Sequence, residues 1–395
     1  MLTPLSRPDT PAGLSFSLGY SIDPGSCLVF LRSSSVRADR ARGGFQEQWR
    51  ETLCYVKSSV ESVNGEAKVV KIRRFLTTAR DERIMRPPQF RNPRTREVWQ
   101  EVFGDALPAS TSLQVPATPL VGSLVDLEVW AAAPPGSIAA EVVRIGADTL
   151  PVAVAVRGDQ QLCAAAVRSQ PGGSIESQVS SCLTQLEERF AQNGAGPHDV
   201  VKLTVYHRDA RWWPAVEGIV AGRYREHSPV LNGVMVSNLR TPEGEIEVTG
   251  WARCGTGGPS AGGGQGDPVG TVDLSDRLLA LTGTGALPIF VGGQADQMYD
   301  RGRSLSIEEQ AHLAMANQRA VLESAGASFG DVFRSNWYVT DMRDWDAIEP
   351  VVASYFPSGL PVPMVIEVSR LTAKQGVRLE PDLWASVPGR RQATA

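Results

Sequence analysis

No run of 18 or more apolar residues occurs in this chain, so no membrane-spanning helix is expected. The opening MLTPLSRPDTPAGLS carries prolines and charges where a secretory leader would carry an apolar stretch, so none is read there. Cysteine is scarce, odd in number and scattered (Cys27, Cys54, Cys163, Cys182 and Cys254), without a CxxC pair. That argues against a disulfide frame or a zinc site and points to a reducing, cytoplasmic setting, with inert buried thiols. The four histidines (His198, His207, His227, His312) show no HxxxH or HExxH spacing, so no metal and no cofactor is implied. An excess of basic residues is also missing. Lys and Arg total 39 against 43 Asp and Glu, a net charge of −4, which leaves no electrostatic footprint for nucleic acid. The local cluster Arg37, Arg40 and Arg42 reads as a solvated loop or as an anion-binding lip. The glycine-rich GTGGPSAGGGQGD (255–267) lacks the GK[ST] ending of a phosphate loop. It reads instead as a flexible linker with a root-mean-square span of roughly 20 Å.

What is present is a core-forming composition, 42% hydrophobic and 21% charged, with room for two to three domains in 395 residues. An acidic residue stands four positions before a Trp-Ala pair three times. These are Asp126 with Trp130-Ala131, Glu247 with Trp251-Ala252, and Glu380 with Trp384-Ala385. The Trp-Ala pairs are 121 and 133 residues apart, about one small domain each. Other landmarks keep the same order. NGEAKVVKIRRFLTTARD (64–81), NGAGPHDVVKLTVYHRD (193–209) and AGASFGDVFRSNWYVTD (325–341) each follow one amphipathic helical pattern and precede a second. Four landmarks in one order imply three divergent copies of one unit.

The copies are placed at 14–132, 138–254 and 268–388, with 1–13 a flexible tail and 255–267 the linker. Each copy is read as β-β-α-β-α-β-β, and the first carries a polar insertion after its third strand. Alternation in DLEVW and EIEVTGW predicts strands buried on one face and presenting Asp or Glu on the other. The tryptophans of the repeated motif are expected to plug a sheet–helix or intercopy interface. Trp212 and Trp213 open a helix, either as core or as the wall of a cleft for a flat ligand.

The third copy resembles the RidA/YjgF family of small trimeric proteins. The resemblance is carried by EEQAHLAMANQRAVLESAGASFGDVFRSNWYVTDMRDWDAIEPVVASYF, by VGGQA at Val291, and by PVPMVIEVSRL followed by VRLEPDLWA. It is weaker in the second copy and weakest in the first. It implies an α+β fold in which each unit is a sheet with two helices on one face, with three units packed sheet-inward and ligand clefts between neighbours. In one chain these would form an intramolecular pseudo-trimer, a monomer acting as its own trimer with at most weak dimerisation.

The resemblance also implies site residues. The family's best-known activity, hydrolysis of enamines and imines to ketoacids and ammonia, uses an arginine at the start of the fifth strand to grip the substrate carboxylate. That position falls on Ser110, Leu231 and Pro363, none of which can replace a guanidinium. The family's sixth-strand acid falls on Asp126, Glu247 and Glu380, the candidate catalytic groups; each is otherwise a solvated or ion-paired strand residue. The second acid of the closing strand is Glu128 and Asp382 but Thr249 in the second copy. A helical position often Asn in the family becomes Glu217 and Glu349, either solubilising or lining an acidic cleft. Gln294 with the Gly292 and Gly293 backbone can bond a substrate carbonyl, or is a structural amide at a bulge.

The expected function is cofactor-independent acid/base catalysis on an enamine-, imine- or enol-like small molecule, by deamination, hydration, elimination or cyclisation. Loss of the arginine points to a specialised biosynthetic step, without nucleic-acid or membrane partners. The alternative is a catalytically silent binding or partner protein that keeps the pseudo-trimer for stability.

Overall fold

The computed structural model of the chain describes residues 3–5, 19–22, 27–33, 44–63, 65–77, 93–104, 108–120, 122–134, 142–143, 153–157, 161–191, 194–225, 229–239, 244–254, 270–273, 279–282, 289–291, 305–324, 327–356, 363–371 and 376–385. The linker 255–267, Gln294, Gly292 and Gly293 lie outside these described residues.

The first third contains β1 (Thr3–Leu5), β2 (Gly19–Ile22), β3 (Cys27–Ser33), α1 (Phe45–Val63), β4 (Lys68–Leu76), α2 (Pro93–Phe103), β5 (Ala109–Gln114) and β6 (Val125–Ala133). The middle contains β7 (Val142–Val143), β8 (Ala153–Arg157), β9 (Gln161–Arg168), α3 (Ile175–Ala191), β10 (Val200–His207), α4 (Trp213–Arg223), β11 (Val230–Met235), β12 (Asn238–Leu239) and β13 (Ile246–Cys254). The last contains β14 (Gly270–Asp273), β15 (Leu279–Thr282), β16 (Ile289–Val291), α5 (Ile307–Ser324), β17 (Val332–Val339), α6 (Trp345–Ala353), β18 (Pro363–Glu367), β19 (Arg370–Leu371) and β20 (Leu379–Ala385).

Three sheets result. Sheet three runs β14-β15-β16-β20-β17-β18, sheet two β1-β2-β9-β13-β10-β11-β19, and sheet one β7-β8-β3-β6-β4-β5-β12. The last strand of each unit is therefore central, antiparallel to the strand that follows the first helix. The parallel pairs β4–β5, β10–β11 and β17–β18 are each joined through a helix, as parallel neighbours require.

Two expectations need correction. Sheet three has three strands ahead of its first helix, one more than β-β-α-β-α-β-β allows. Residues Thr3–Leu5, read as tail, pair with β2. The ranges 14–132 and 138–254 also do not map singly onto sheets. Strand β2 pairs with β9, and β8 pairs with β3, so the first two thirds exchange their leading hairpins. The short runs at Gly19–Ile22 and Ala153–Arg157 carry no signal that says which sheet edge they join.

Helical spacing explains the outer layer. In α1, Trp49, Leu53, Val56 and Val60 fall on one stripe and pack on Ile72, Leu127 and Val129. Arg74 is buried on that side between Trp49 and Trp99, its guanidinium 5.5 Å from each ring. In α3, Val179, Leu183, Leu186 and Phe190 cover Leu203, Val205 and Val248. Helices α5 and α6 cover Trp337, Leu379 and Leu383 in the same manner.

The opposite faces of all three sheets meet in a second core. Phe75, Leu113 and Val115 pack with Tyr206, Val234 and Leu239 and with Tyr338, Met364 and Ile366. The edges interlock as well: β12 pairs with β5, β19 pairs with β11, and Glu367 N donates to Ala117 O. Part of the outer edge of β5 and of β11 is thus paired with a segment of a neighbour, and β18 makes one backbone hydrogen bond to the first third.

Candidate active site at the seams between sheets

Strand alternation aims the chemistry inward. On β6, β13 and β20, Val125, Leu127, Ile246, Val248, Leu379 and Leu383 belong to the helix-side cores. The residues between them, Asp126, Glu128, Trp130, Glu247, Thr249, Trp251, Glu380, Asp382 and Trp384, must then point to the shared interior. The neighbouring strand answers in register. Lys71 pairs with Trp130, Arg73 with Glu128 and Phe75 with Asp126. Lys202, Thr204 and Tyr206 pair with Trp251, Thr249 and Glu247, and Arg334, Asn336 and Tyr338 with Trp384, Asp382 and Glu380. An irregularity in pairing immediately precedes each of the three cations. The three indoles meet at the centre, Trp130 to Trp251 at 6.0 Å and Trp251 to Trp384 at 5.3 Å between ring centroids.

The three seams have the same plan and different contents. Between sheets two and three, Lys202 Nζ donates to Asp382 Oδ1 at 2.8 Å and to Asn232 Oδ1 at 2.7 Å. Between sheets one and three, Arg334 pairs with Glu128, whose Oε1 also accepts from Asn336 Nδ2 at 3.1 Å. Arg73 Nη1 reaches Glu128 Oε2 at 3.1 Å and donates to Tyr338 Oη at 3.3 Å. Between sheets one and two, Thr249 stands where the other seams have Asp382 and Glu128. There Lys71 Nζ has no hydrogen-bond partner and lies 5.4 Å and 5.7 Å from the Trp130 and Trp251 rings. Glu247 Oε2 accepts from Arg168 Nε at 3.0 Å, while its Oε1 is buried without a partner.

Burial without full pairing displaces ionisations. Glu380 is 4% exposed, and burial pushes its carboxyl up to about 8, aided by the Asp382 charge and opposed by Asn232 and Lys202. Burial likewise lowers Lys71 to about 7; Arg73 adds to that, while Glu128 and Glu247 oppose it. Lys202 is lowered by burial against the pull of Asp382.

Asp126, Glu247 and Glu380 are therefore all buried and inward, Glu247 near Lys71 and Glu380 bonded to Asn232 of another sheet, with Asp126 Oδ1 accepting from Leu127 N at 2.9 Å. The helical candidates do not join them. Glu217 is exposed and Glu349 half-buried in the helical layer, with the sheet between them and the acids. Trp212 packs against the helix-side core of sheet two, because the turn Ala210–Trp212 sets it on that face. Ser110, Leu231 and Pro363 occupy one register position, opposite Ile72, Leu203 and Ser335. Cys182 is buried and pushed up to about 12, an inert thiol. His207 is pushed down to about 4 by burial, stacked 5.8 Å from Trp213. Among the described residues no cluster of His, Cys, Asp or Glu could hold a metal, and no helix is long and apolar enough to cross a membrane.

Sequence reasoning missed Lys71, Lys202, Arg334, Arg73 and Asn232. A signal was available: VVK, VVK and VFR, each cation ahead of an alternating strand in the repeated landmark.

A family model described as Endoribonuclease L-PSP matches residues 155–254 and 282–387, more than half of the chain. The chain belongs to this family, the RidA/YjgF superfamily. A RutC family protein of Pyrococcus abyssi (strain GE5 / Orsay) is 34% identical over 94 residues, which is 23% of this chain and 74% of that relative. A 2-iminobutanoate/2-iminopropanoate deaminase of Dermatophagoides farinae is 31% identical over 74 residues, 19% of this chain and 58% of that relative. Among solved structures, a YjgF/YER057c/UK114 family member from Mycobacterium tuberculosis is 30% identical, with a TM-score of 0.23 over 25% of this chain and 79% of its own. A chorismatase is 13% identical, with a TM-score of 0.48 over 80% of this chain and 92% of its own. RidA-like family membership and the mixed α/β architecture agree.

Proposed function

We propose that the chain is a ring of three RidA-like units, a pseudo-trimer in one polypeptide, and that it acts without a cofactor on a small enamine-, imine- or enol-like molecule. The units are those at 14–132, 138–254 and 268–388, the first two exchanging their leading hairpins, joined after the second by the linker 255–267. Support for the ring comes from the three inward faces and the interlocked edges. Support for the chemistry comes chiefly from one group, Glu380. A carboxyl raised to about 8 holds its proton at neutral pH, so it can donate that proton to an enamine carbon, an imine nitrogen or an enol-ether carbon. The resulting carboxylate then takes a proton from the attacking water, which returns the acid to its starting state. Asn232 beside it and the Lys202–Asp382 pair fix its surroundings.

Related proteins named as 2-iminobutanoate/2-iminopropanoate deaminase and as putative reactive intermediate deaminase support the substrate class. The ordinary deaminase reaction is not proposed, because Ser110, Leu231 and Pro363 offer no guanidinium for a substrate carboxylate. A specialised biosynthetic step fits three unlike seams better than general clearance of imines.

The experiment is substitution of Glu380→Gln, Glu247→Gln and Asp126→Asn, assayed on imines, enamines and enol ethers generated in situ. The expected result is a fall of about 10²–10⁴-fold for Glu380→Gln with the fold retained. If all three variants match the parent in turnover and ligand binding, the catalytically silent reading replaces this one. Size-exclusion chromatography tests the ring: a compact monomer is expected, and an obligate homotrimer would overturn it.

A further inference from the structure

The seams differ in how their buried lysines are paired. Where sheets two and three meet, a buried ammonium finds a carboxylate and a carboxamide, Lys202 with Asp382 and Asn232. Where sheets one and two meet, the residues at the same register positions are Lys71, Thr249 and Thr111. The lysine is retained and both of its oxygen partners are lost. Lys71 is 1% exposed and its Nζ has no hydrogen-bond partner, and Thr111 Oγ1 is buried without one as well. Charge on that Nζ is costly to bury without an oxygen partner, and a carboxylate supplied by a ligand would offset the cost.

Ion pairing points the same way. Lys71, Arg73, Lys202 and Arg334 face the shared interior, and Glu128 and Asp382 are the carboxylates that pair with them among the described residues. Of the other inward acids, Glu247 is engaged by Arg168, Glu380 belongs to the neighbouring seam, and Asp126 lies on the sheet of Lys71 itself. The carboxylate that meets Lys202 at one seam and Arg334 at another has no counterpart at Lys71.

We infer that the seam between sheets one and two is a binding site for a small organic monocarboxylate, whose carboxylate bonds Lys71 Nζ in the place Asp382 holds against Lys202. The indoles of Trp130 and Trp251 flank the ammonium and would cover the apolar body of the ligand. Thr111 Oγ1 supplies a further hydrogen bond. Glu247 beside the ligand carboxylate repeats the Glu380–Asp382 neighbourhood of the next seam, so two adjacent carboxyl groups are already accommodated by this architecture. This site is separate from the Glu380 chemistry and does not depend on it.

The groups that face Lys71 are Arg73 on its own strand, Glu128 on β6, Glu247 on β13 and Arg334 on β17. An anion at Nζ favours the ammonium over the amine, so binding should weaken as pH rises above 7. The test is calorimetric titration of the full chain with pyruvate as probe. Saturable binding of one equivalent is expected at pH 7, about tenfold weaker per pH unit above that. Thr249→Asp supplies the carboxylate internally and should abolish binding while raising the thermal midpoint. Lys71→Met should abolish it without lowering the midpoint, and decides the matter alone if Thr249→Asp does not fold. Glu380→Gln should leave pyruvate binding unchanged, which separates this site from the proposed catalytic one. Binding that survives Lys71→Met, equal competition by chloride, or no binding at tens of millimolar pyruvate would overturn the inference.

Discussion

Lys202 of sheet two and Asp382 of sheet three meet at 2.8 Å with side chains 2% and 1% exposed, although 180 residues separate them in the chain. Such a pair holds two sheets in register more than it adds stability, because burial of both charges cancels much of their attraction. Removing one partner is another matter. Asp382→Asn should cost about 3–5 kcal/mol, since it leaves Lys202 buried and also releases Arg334. The double variant Lys202→Met with Asp382→Leu should be much milder than the sum of the single changes. Urea denaturation of the four proteins checks this, and additive losses would contradict it.

The placement of that pair shows how far the sequence could be read. The Trp-Ala repeat and the acid four residues before it showed which side chains share a face, because a strand has period two and both residues lie an even number of positions apart. Glu380 was legible as an inward acid for that reason. Its partners were not. Lys202 and Asn232 come from another sheet, and cross-sheet contact leaves no local pattern in one sequence. The glutamates at 217 and 349 misled because helical spacing puts them on an outer layer that alternation in the strands cannot see. The exchange of β2 and β8 between sheets was hidden for a similar reason: short strands pair by tertiary fit.

Trp251 contacts both other central indoles, Trp130 on one side and Trp384 on the other. Trp251→Ala should therefore cost more than either Trp130→Ala or Trp384→Ala, about 3–5 kcal/mol by the usual scale for a buried indole. Denaturant midpoints of the three variants rank them, and a smaller loss for Trp251 would argue that the rings pack independently.

Gly250 sits between Thr249 and Trp251 with its bare Cα toward α3. A Cβ there would stand 2.6 Å from Leu186 Cδ2 and 3.2 Å from both Leu203 Cδ2 and Phe190 Cζ. Gly250→Ala should destabilise by about 1–3 kcal/mol through overpacking. Pairing it with Leu186→Ala should recover part of the loss, read from the same denaturation curves.

Glu380 and Lys71 give stability a pH dependence of opposite signs. Glu380 has its folded value raised from 4.5 to about 8, so the folded chain holds a proton that the unfolded chain has lost between those limits. Its contribution is complete below pH 4.5 and disappears as pH rises through 8, a falling limb of at most about 1.4 kcal/mol per pH unit. Lys71 is lowered from 10.5 to about 7, so between those limits it is the unfolded chain that holds the extra proton. Stability then rises with pH over that range, and Lys202, also lowered, acts in the same direction. The two effects oppose each other between pH 7 and 8. His207, lowered from 6.5 to about 4, opposes the Glu380 limb below pH 6.5, so the clean fall lies between about 6.5 and 7. Above pH 9 the raised Cys182 thiol subtracts from the rise, which confines the clean rising window to about 8–9. Unfolding free energies from pH 5 to 9 for the parent, Glu380→Gln and Lys71→Met separate the terms. Glu380→Gln should remove the fall between about pH 6.5 and 7, leave a net rise below it, and spare the rise at 8–9, whereas Lys71→Met should remove the rise at 8–9 and spare the fall. A parent curve that rises steadily from pH 5 to 7 and is unaltered by Glu380→Gln would mean that this carboxyl is ionised in the folded chain and has no proton to give.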